Sequence, residues 1–274
     1  MMLFGILYFI FGLILGSFLN VVILRYNTGK SISGRSSCAT CGHRLKWFEL
    51  IPVFSFLFLN GRCRKCDAKI SLQYPLVELL TGIIFYLIWL NNFNFSQNIL
   101  AIGLSLTLIF ITVYDIRHKI IPNSAIILLL LIVILWKMVD FLKYTDMKNI
   151  FFLDMFFGSL IVSLPIALLW YFSKGKAIGF GDAKLMFVLG AFLGFFNTVI
   201  LITYASVLGS MYGLVLFIKQ KICTHHYLSG LVKSSIMKAA IPFGPFLIFA
   251  FILIWLMGAN NWYIEVIYKI GSYV

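Results

Sequence analysis

Asn98-Ile99-Leu100-Ala101-Ile102-Gly103-Leu104-Ser105-Leu106-Thr107-Leu108-Ile109-Phe110-Ile111-Thr112-Val113-Tyr114 runs without a charge and then ends on Asp115. An apolar stretch of this length is what a helix needs to cross the ~30 Å hydrocarbon core of a bilayer. It is continuous rather than alternating, which argues against a membrane β-barrel strand. Similar runs recur along the 274 residues. They fall near 3–24, 74–90, 98–114, 123–139, 151–172, 184–197, 198–218 and 242–258, giving about eight spans. The chain is 62% apolar with a mean hydropathy of +1.01, far above the roughly 45–50% of soluble globular domains. The expected fold is an all-α polytopic membrane protein. A weak turn is expected at Phe195-Phe196-Asn197-Thr198, between the sixth and seventh spans.

The formal charge of +13 invites a nucleic-acid reading, but the placement of the basic residues argues against one. With the N-terminus outside, segments 25–73, 115–122, 173–184 and 219–241 face the cytoplasm. Of the 22 Lys and Arg, all but Lys137, Lys143, Lys148 and Lys269 then lie inside, as the positive-inside rule requires. Basic loops on that side suit anionic lipid headgroups. The first run, Leu3 to Leu24, lacks a basic leader and is too long for a signal peptide, so it reads as a retained helix. Trp262, Tyr263 and Tyr268 suggest an aromatic anchor near the C-terminus. Three segments follow: 1–24, a first transmembrane helix; 25–73, a small cytoplasmic domain; and 74–274, a multi-helix membrane domain.

Segment 25–73 contains Cys38-Ala39-Thr40-Cys41 and Cys63-Arg64-Lys65-Cys66. Each pair puts two thiolates on a tight knuckle, and two knuckles supply four soft ligands for tetrahedral Zn2+. With four thiolates no position is left for water, so such a zinc is structural. Disulfides are the competing reading, and the reducing cytoplasm disfavours them. His43 is a conceivable alternative ligand or simply a loop residue.

Asp115 ends the third span, and Asp182 closes Gly179-Phe180-Gly181-Asp182 just before the sixth. Carboxylates at a bilayer boundary are costly and usually functional. Two that approach each other cannot both ionise easily, so one keeps a proton and the other is a base. That pair could activate water toward a peptide carbonyl and protonate the leaving amine, the chemistry of an aspartyl protease. Gly179 and Gly181 are expected to adopt positive φ and admit a substrate strand closely. Taken singly, each aspartate has a plainer reading: Asp182 as a helix N-cap, and Asp115 as a helix-end charge paired with Arg117 or Lys119. Glu78, one turn inside the second span, is either held by a neighbouring helix, hydrated near the interface, or part of a substrate or cofactor site.

Several ordered segments resemble the type IV prepilin peptidases. They are Gly16-Ser17-Phe18-Leu19-Asn20-Val21-Val22, the Cys38–Cys66 loop with Ile51-Pro52-Val53 and Gly61-Arg62-Cys63, and Tyr74-Pro75-Leu76-Val77-Glu78-Leu79-Leu80. Asp115 with Ile121-Pro122-Asn123, Gly179-Phe180-Gly181-Asp182-Ala183-Lys184 and Pro242-Phe243-Gly244-Pro245-Phe246 complete the set. Ala39 stands where many members of that family have proline. The resemblance implies Asp115 and Asp182 as the catalytic pair and Cys38, Cys41, Cys63 and Cys66 as zinc ligands. Gly179, Gly181, Lys184 and Glu78 are the candidates for positioning the substrate. The implied substrates are prepilins or pseudopilins, cut after a glycine at the cytoplasmic face of a bacterial inner membrane. It also implies N-methylation with S-adenosylmethionine, for which the sequence carries no Gly-x-Gly-x-x-Gly signature of its own.

A proton-coupled transporter with paired carboxylates would explain the acidic residues, but not the four-cysteine loop. A zinc-knuckle scaffold would explain the loop, but not the aspartates. A presenilin-like intramembrane protease shares the aspartate pattern and lacks the cysteines.

Overall fold

The computed structural model describes residues 2–29, 31–143, 148–175, 179–226 and 242–256. Among these the regular elements are helices: α1 (Met2–Arg25), α2 (Phe54–Phe58), α3 (Gln73–Leu90), α4 (Phe95–His118), α5 (Asn123–Lys143), α6 (Lys148–Phe172), α7 (Phe180–Leu193), α8 (Phe195–His226) and α9 (Gly244–Leu256). Six are long and apolar enough to cross a membrane: α1, α3, α4, Asn123–Leu142 in α5, Leu153–Phe172 in α6 and Phe195–Ile218 in α8. The other two expected spans form the shorter α7 and α9, of 14 and 13 residues. At 1.5 Å per residue α7 reaches only about 20 Å, short of a full crossing, and the described part of α9 spans about as much. The expected aromatic anchor at Trp262, Tyr263 and Tyr268 lies outside the described residues.

The residues group into two compact units, Met1–Phe110 and Ile111–Val274, divided within α4. In the first unit α1 packs along α3. Glycines make the approach close: a Cβ on Gly12 would lie 2.8 Å from the Gly82 Cα, and one on Gly16 would lie 2.8 Å from the Glu78 Cα. Lipid gives helices no hydrophobic reason to associate, so small residues that let backbones touch are the expected solution. The Asn20 amide adds polar contacts, donating to the Tyr74 carbonyl at 3.2 Å and accepting from the Gln73 amide at 3.4 Å.

In the second unit α7 is the centre, with α5, α6, α8 and α9 against it. Its residues from Leu185 to Leu193 are almost all buried, Phe187 excepted. Gly158 of α6 and Gly190 of α7 meet backbone to backbone. Trp136, Phe192, Phe251 and Trp255 form an aromatic cluster joining α5, α7 and α9, with ring centroids 5.2–6.0 Å apart. The turn expected at 195–198 falls earlier. α7 ends at Leu193, and Gly194 takes φ 78° with ψ 178°, a conformation that glycine alone adopts readily. Asp154 then accepts a hydrogen bond from the Phe195 backbone N–H at 2.9 Å and fixes the start of α8.

Candidate active site and cysteine cluster

The cysteine loop is two copies of one local structure. The Cys38 N–H donates to the His43 carbonyl at 2.9 Å and the Gly42 N–H to the Cys38 carbonyl at 3.0 Å. The second knuckle repeats this with Cys63 to Ala68 and Asp67 to Cys63, both at 2.9 Å. In each, the residue after the second cysteine adopts positive φ: Gly42 at 69° and Asp67 at 55°. The four sulfurs lie within 4.8 Å of one another, with Cys38–Cys66 at 3.9 Å and Cys41–Cys63 at 4.0 Å. All four are free thiols. Sulfurs about 2.3 Å from a central ion would be separated by about 3.8 Å in a tetrahedron, so the cluster fits a metal.

The electrostatics of the cluster agree with that fit. Backbone N–H groups of Cys41 and Thr40 lower the Cys38 thiol to about 6. The Ala68 N–H favours the Cys66 thiolate, but the crowding sulfurs of Cys41, Cys63 and Cys38 push it up to about 12. Sulfurs this close repel one another as they ionise, and a cation between them would relieve that repulsion. His43 is not one of the ligand set. Its Nε2 lies 3.7 Å from Glu49, whose buried carboxylate accepts from the Lys46 N–H at 2.7 Å.

Glu78 is also engaged. It is buried on α3, accepts from the Val53 N–H at 2.7 Å and is hydrogen-bonded by the Ser17 side chain. It therefore ties the loop to α3 and α1. Val53, held at φ 61°, is the strained partner in that contact.

The carboxylate site belongs to the second unit. Asp115 occupies the last turn of α4, and Lys119 at φ 55° ends the helix by donating its N–H to the Asp115 carbonyl at 2.7 Å. The side chain of Asp115 is 4% exposed, whereas Arg117 and Lys119 are exposed, and among the described residues it makes no ion pair. Among the described residues nothing donates a hydrogen bond to its Oδ2. Buried polar atoms are rarely left so, and an orphaned carboxylate oxygen points to a function.

Asp182 is the third residue of α7, and Gly179 is the N-cap. That removes the reading of Asp182 as a cap. Its side chain instead reaches back to the Gly179 N–H, and the charge of Asp115 is near enough to act on it. The glycines differ from expectation too. Gly179 has φ −73°, and Gly181 lies within the helix with no positive φ. Gly181 is needed for space, since a Cβ there would meet Ile121 Cβ at 3.1 Å. Lys184 donates to Asn123 Oδ1 at 2.9 Å and stands 4.6 Å over the Phe180 ring, joining α7 to the start of α5.

Two contributors carried no assigned role in the sequence reading. A Cβ on Gly244, at the start of α9, would fall 2.6 Å from Asp115 Oδ2 and 3.4 Å from Ile121 Cδ1, and the Gly244 N–H also faces the Asp115 carboxylate. Ile121 thus packs against both Gly181, the neighbour of Asp182, and Gly244, which faces Asp115. The motifs containing both residues were visible in the sequence, but nothing local to either told of this contact.

Helices long enough to cross a membrane, a buried carboxylate and a four-cysteine cluster that could hold a metal together define a multi-pass membrane protein. The bacterial peptidase A24 N-terminal domain matches residues 10–92, and the type IV leader peptidase family matches residues 102–214. A prepilin leader peptidase/N-methyltransferase of Aeromonas salmonicida is 30% identical over 95% of this chain and 94% of its own length. The proteins of that description from Vibrio cholerae and Myxococcus xanthus are 28% and 36% identical. The Vibrio match covers 91% of this chain and 95% of its own length, and the Myxococcus match covers 79% and 64%. No solved structure matches. The chain belongs to the type IV prepilin leader peptidase/N-methyltransferase family.

Proposed function

We propose that this chain removes the short basic leader of type IV prepilins or pseudopilins, cutting after glycine at the cytoplasmic face of a bacterial inner membrane, and methylates the new N-terminus. The observation that carries the peptidase reading is Asp115: buried, unpaired, with one oxygen orphaned, and close enough to Asp182 for their charges to interact.

In this reading Asp115 and Asp182 share one proton. The ionised member takes a proton from water as it attacks the scissile carbonyl, and the protonated member donates to the developing oxyanion and then to the leaving amine. Family membership rather than local geometry favours this over a proton-coupled transporter. Gly179, Gly181 and Lys184 are proposed to shape the surface on which the substrate backbone lies. The hydrogen bonds to Glu78 support the reading in which it is held by its neighbours and anchors the loop.

Cys38, Cys41, Cys63 and Cys66 are proposed to hold a structural Zn2+ that ties the two knuckles together. S-adenosylmethionine would supply the methyl group. The proposed topology puts the N-terminus outside, with 25–73 as the cytoplasmic zinc domain and 74–274 as the peptidase domain.

Co-expression with a prepilin, followed by gel shift and N-terminal mass, tests this. Leader loss with wild type, abolished by both Asp115→Asn and Asp182→Asn in correctly inserted protein, is the expected result. Persistent cleavage in either variant would reject the two-carboxylate mechanism, and an added methyl mass on the mature product reads the second activity.

A further inference from the structure

The cysteine loop shows water an unusual face. Trp47 is 78% exposed and Phe58 84%, and Leu50, Phe54 and Leu57 are exposed as well. Outside the spans, large apolar side chains left in water in such density mark a contact surface. Their spacing is ordered. Trp47 and Leu50 stand three apart in a 3₁₀ turn, Trp47–Leu50, and so share one side of it. Phe54, Leu57 and Phe58 fall at i, i+3 and i+4 of α2, a single helical face. The turn and α2 pack on each other. Phe56 points the other way, its ring filling the space beside Gly61.

Two further features bear on what covers this face. The loop is tethered at both ends to spans, to α1 at Arg25 and to α3 at Gln73, so it cannot move far from the bilayer surface. Its described part is also cationic. Arg35, Arg44, Lys46, Arg62, Arg64, Lys65 and Lys69 are set against Glu49, which is buried, and Asp67. Lys46 and Arg64 both stand over the Phe48 ring, at 5.9 and 5.4 Å, which places positive charge beside the apolar turn.

We propose that the apolar face of residues 47–58 inserts into the headgroup region of the anionic leaflet, with the surrounding Lys and Arg on lipid phosphates. This combination of aromatic and aliphatic side chains ringed by cations is the pattern of an interfacial anchor. The anchor would hold the metal loop flat on the membrane. The proposal rests on the loop's own chemistry and stands apart from the peptidase reading.

The test uses the full chain in nanodiscs whose acyl chains carry bromine either near the carbonyl or near the chain end. The difference between wild type and Trp47→Phe isolates Trp47 fluorescence. The expected result is quenching at least about twofold stronger by bromine near the carbonyl, matching the shallow depth of an interfacial helix. Quenching should also be deeper in equal phosphatidylglycerol and phosphatidylcholine than in phosphatidylcholine alone. Adding Phe58→Trp to the Trp47→Phe protein should restore the signal. Trp47 emission unaffected by bromolipid and open to aqueous iodide would overturn the proposal. So would protection that develops only on adding a peptide with a basic leader and an apolar helix, which would make the face a substrate dock. Equal quenching in both lipid mixtures would overturn the requirement for anionic lipid.

Discussion

The four-cysteine cluster and the carboxylate pair are assembled in opposite ways. Each cysteine knuckle closes on itself within a few residues, through short hydrogen bonds such as Cys38 to His43 and Cys63 to Ala68, and the two copies then meet. Asp115 and Asp182 have no such local logic. What links their positions is packing at Ile121, which lies against Gly181 beside Asp182 and against Gly244, which in turn faces Asp115. A site made of local motifs keeps its geometry when distant helices shift, whereas a site made of helix ends is only as accurate as the packing beneath it.

The sharpest break between the two is removal of a buried ligand. Cys63→Ser is expected to abolish metal binding, since a structural zinc contributes on the order of 10–16 kcal/mol of folding free energy. Metal content by mass spectrometry and proteolytic sensitivity between 31 and 72 would show it. The second unit should remain protected, and a collapse of both together would mean the sites are not independently built. Chelation of the wild type should reproduce this pattern.

Next in size is loss of a carboxylate. Asp115→Asn or Asp182→Asn is expected to lower prepilin cleavage by at least about a thousandfold with metal content unchanged, as removal of an acid–base group does. A metal loss alongside would show coupling that the comparison denies.

Gly244→Ala should be milder and more instructive. The added methyl lies 2.6 Å from Asp115 Oδ2, so the carboxylate must move, and a displacement near 1 Å can cost about a hundredfold in rate. The expected loss is in kcat, with KM and thermal stability little altered. Unchanged cleavage would show that Asp115 is not held by the start of α9.

Lys184→Met should have the smallest effect. It removes the hydrogen bond to Asn123, worth about 1.5–3 kcal/mol for a charged donor at most and less where water competes. A loss of about tenfold or less in kcat/KM is expected, with Asn123→Ala giving a similar value. A much larger loss from Lys184→Met alone would mean that the lysine touches the substrate.

Much of this architecture was readable from residue order. Apolar runs are averages over about 20 consecutive residues, and α1, α3, α4, α5, α6 and α8 all appear near where their hydropathy puts them. The break between α7 and α8 was misplaced because Phe195-Phe196-Asn197-Thr198 looks like the polar interruption, while the turn is made by Gly194 alone with Asp154 of another helix as its partner. The glycines of Gly179-Phe180-Gly181-Asp182 were read as backbone freedom. In place neither has positive φ, and Gly181 leaves room for Ile121, a property of neighbours and not of φ.

By itself the sequence determined the membrane class, the paired cysteines that can hold a metal and the two aspartates worth watching. Spacing and hydropathy are local properties, and local properties survive being written in one dimension. Only the tertiary structure decided that Asp115 is buried, that Gly244 lies against its carboxylate, and that Glu49 and Glu78 accept hydrogen bonds from the backbone of the loop. Burial and close approach depend on which distant segments arrive at the same place, and packing alone fixes that.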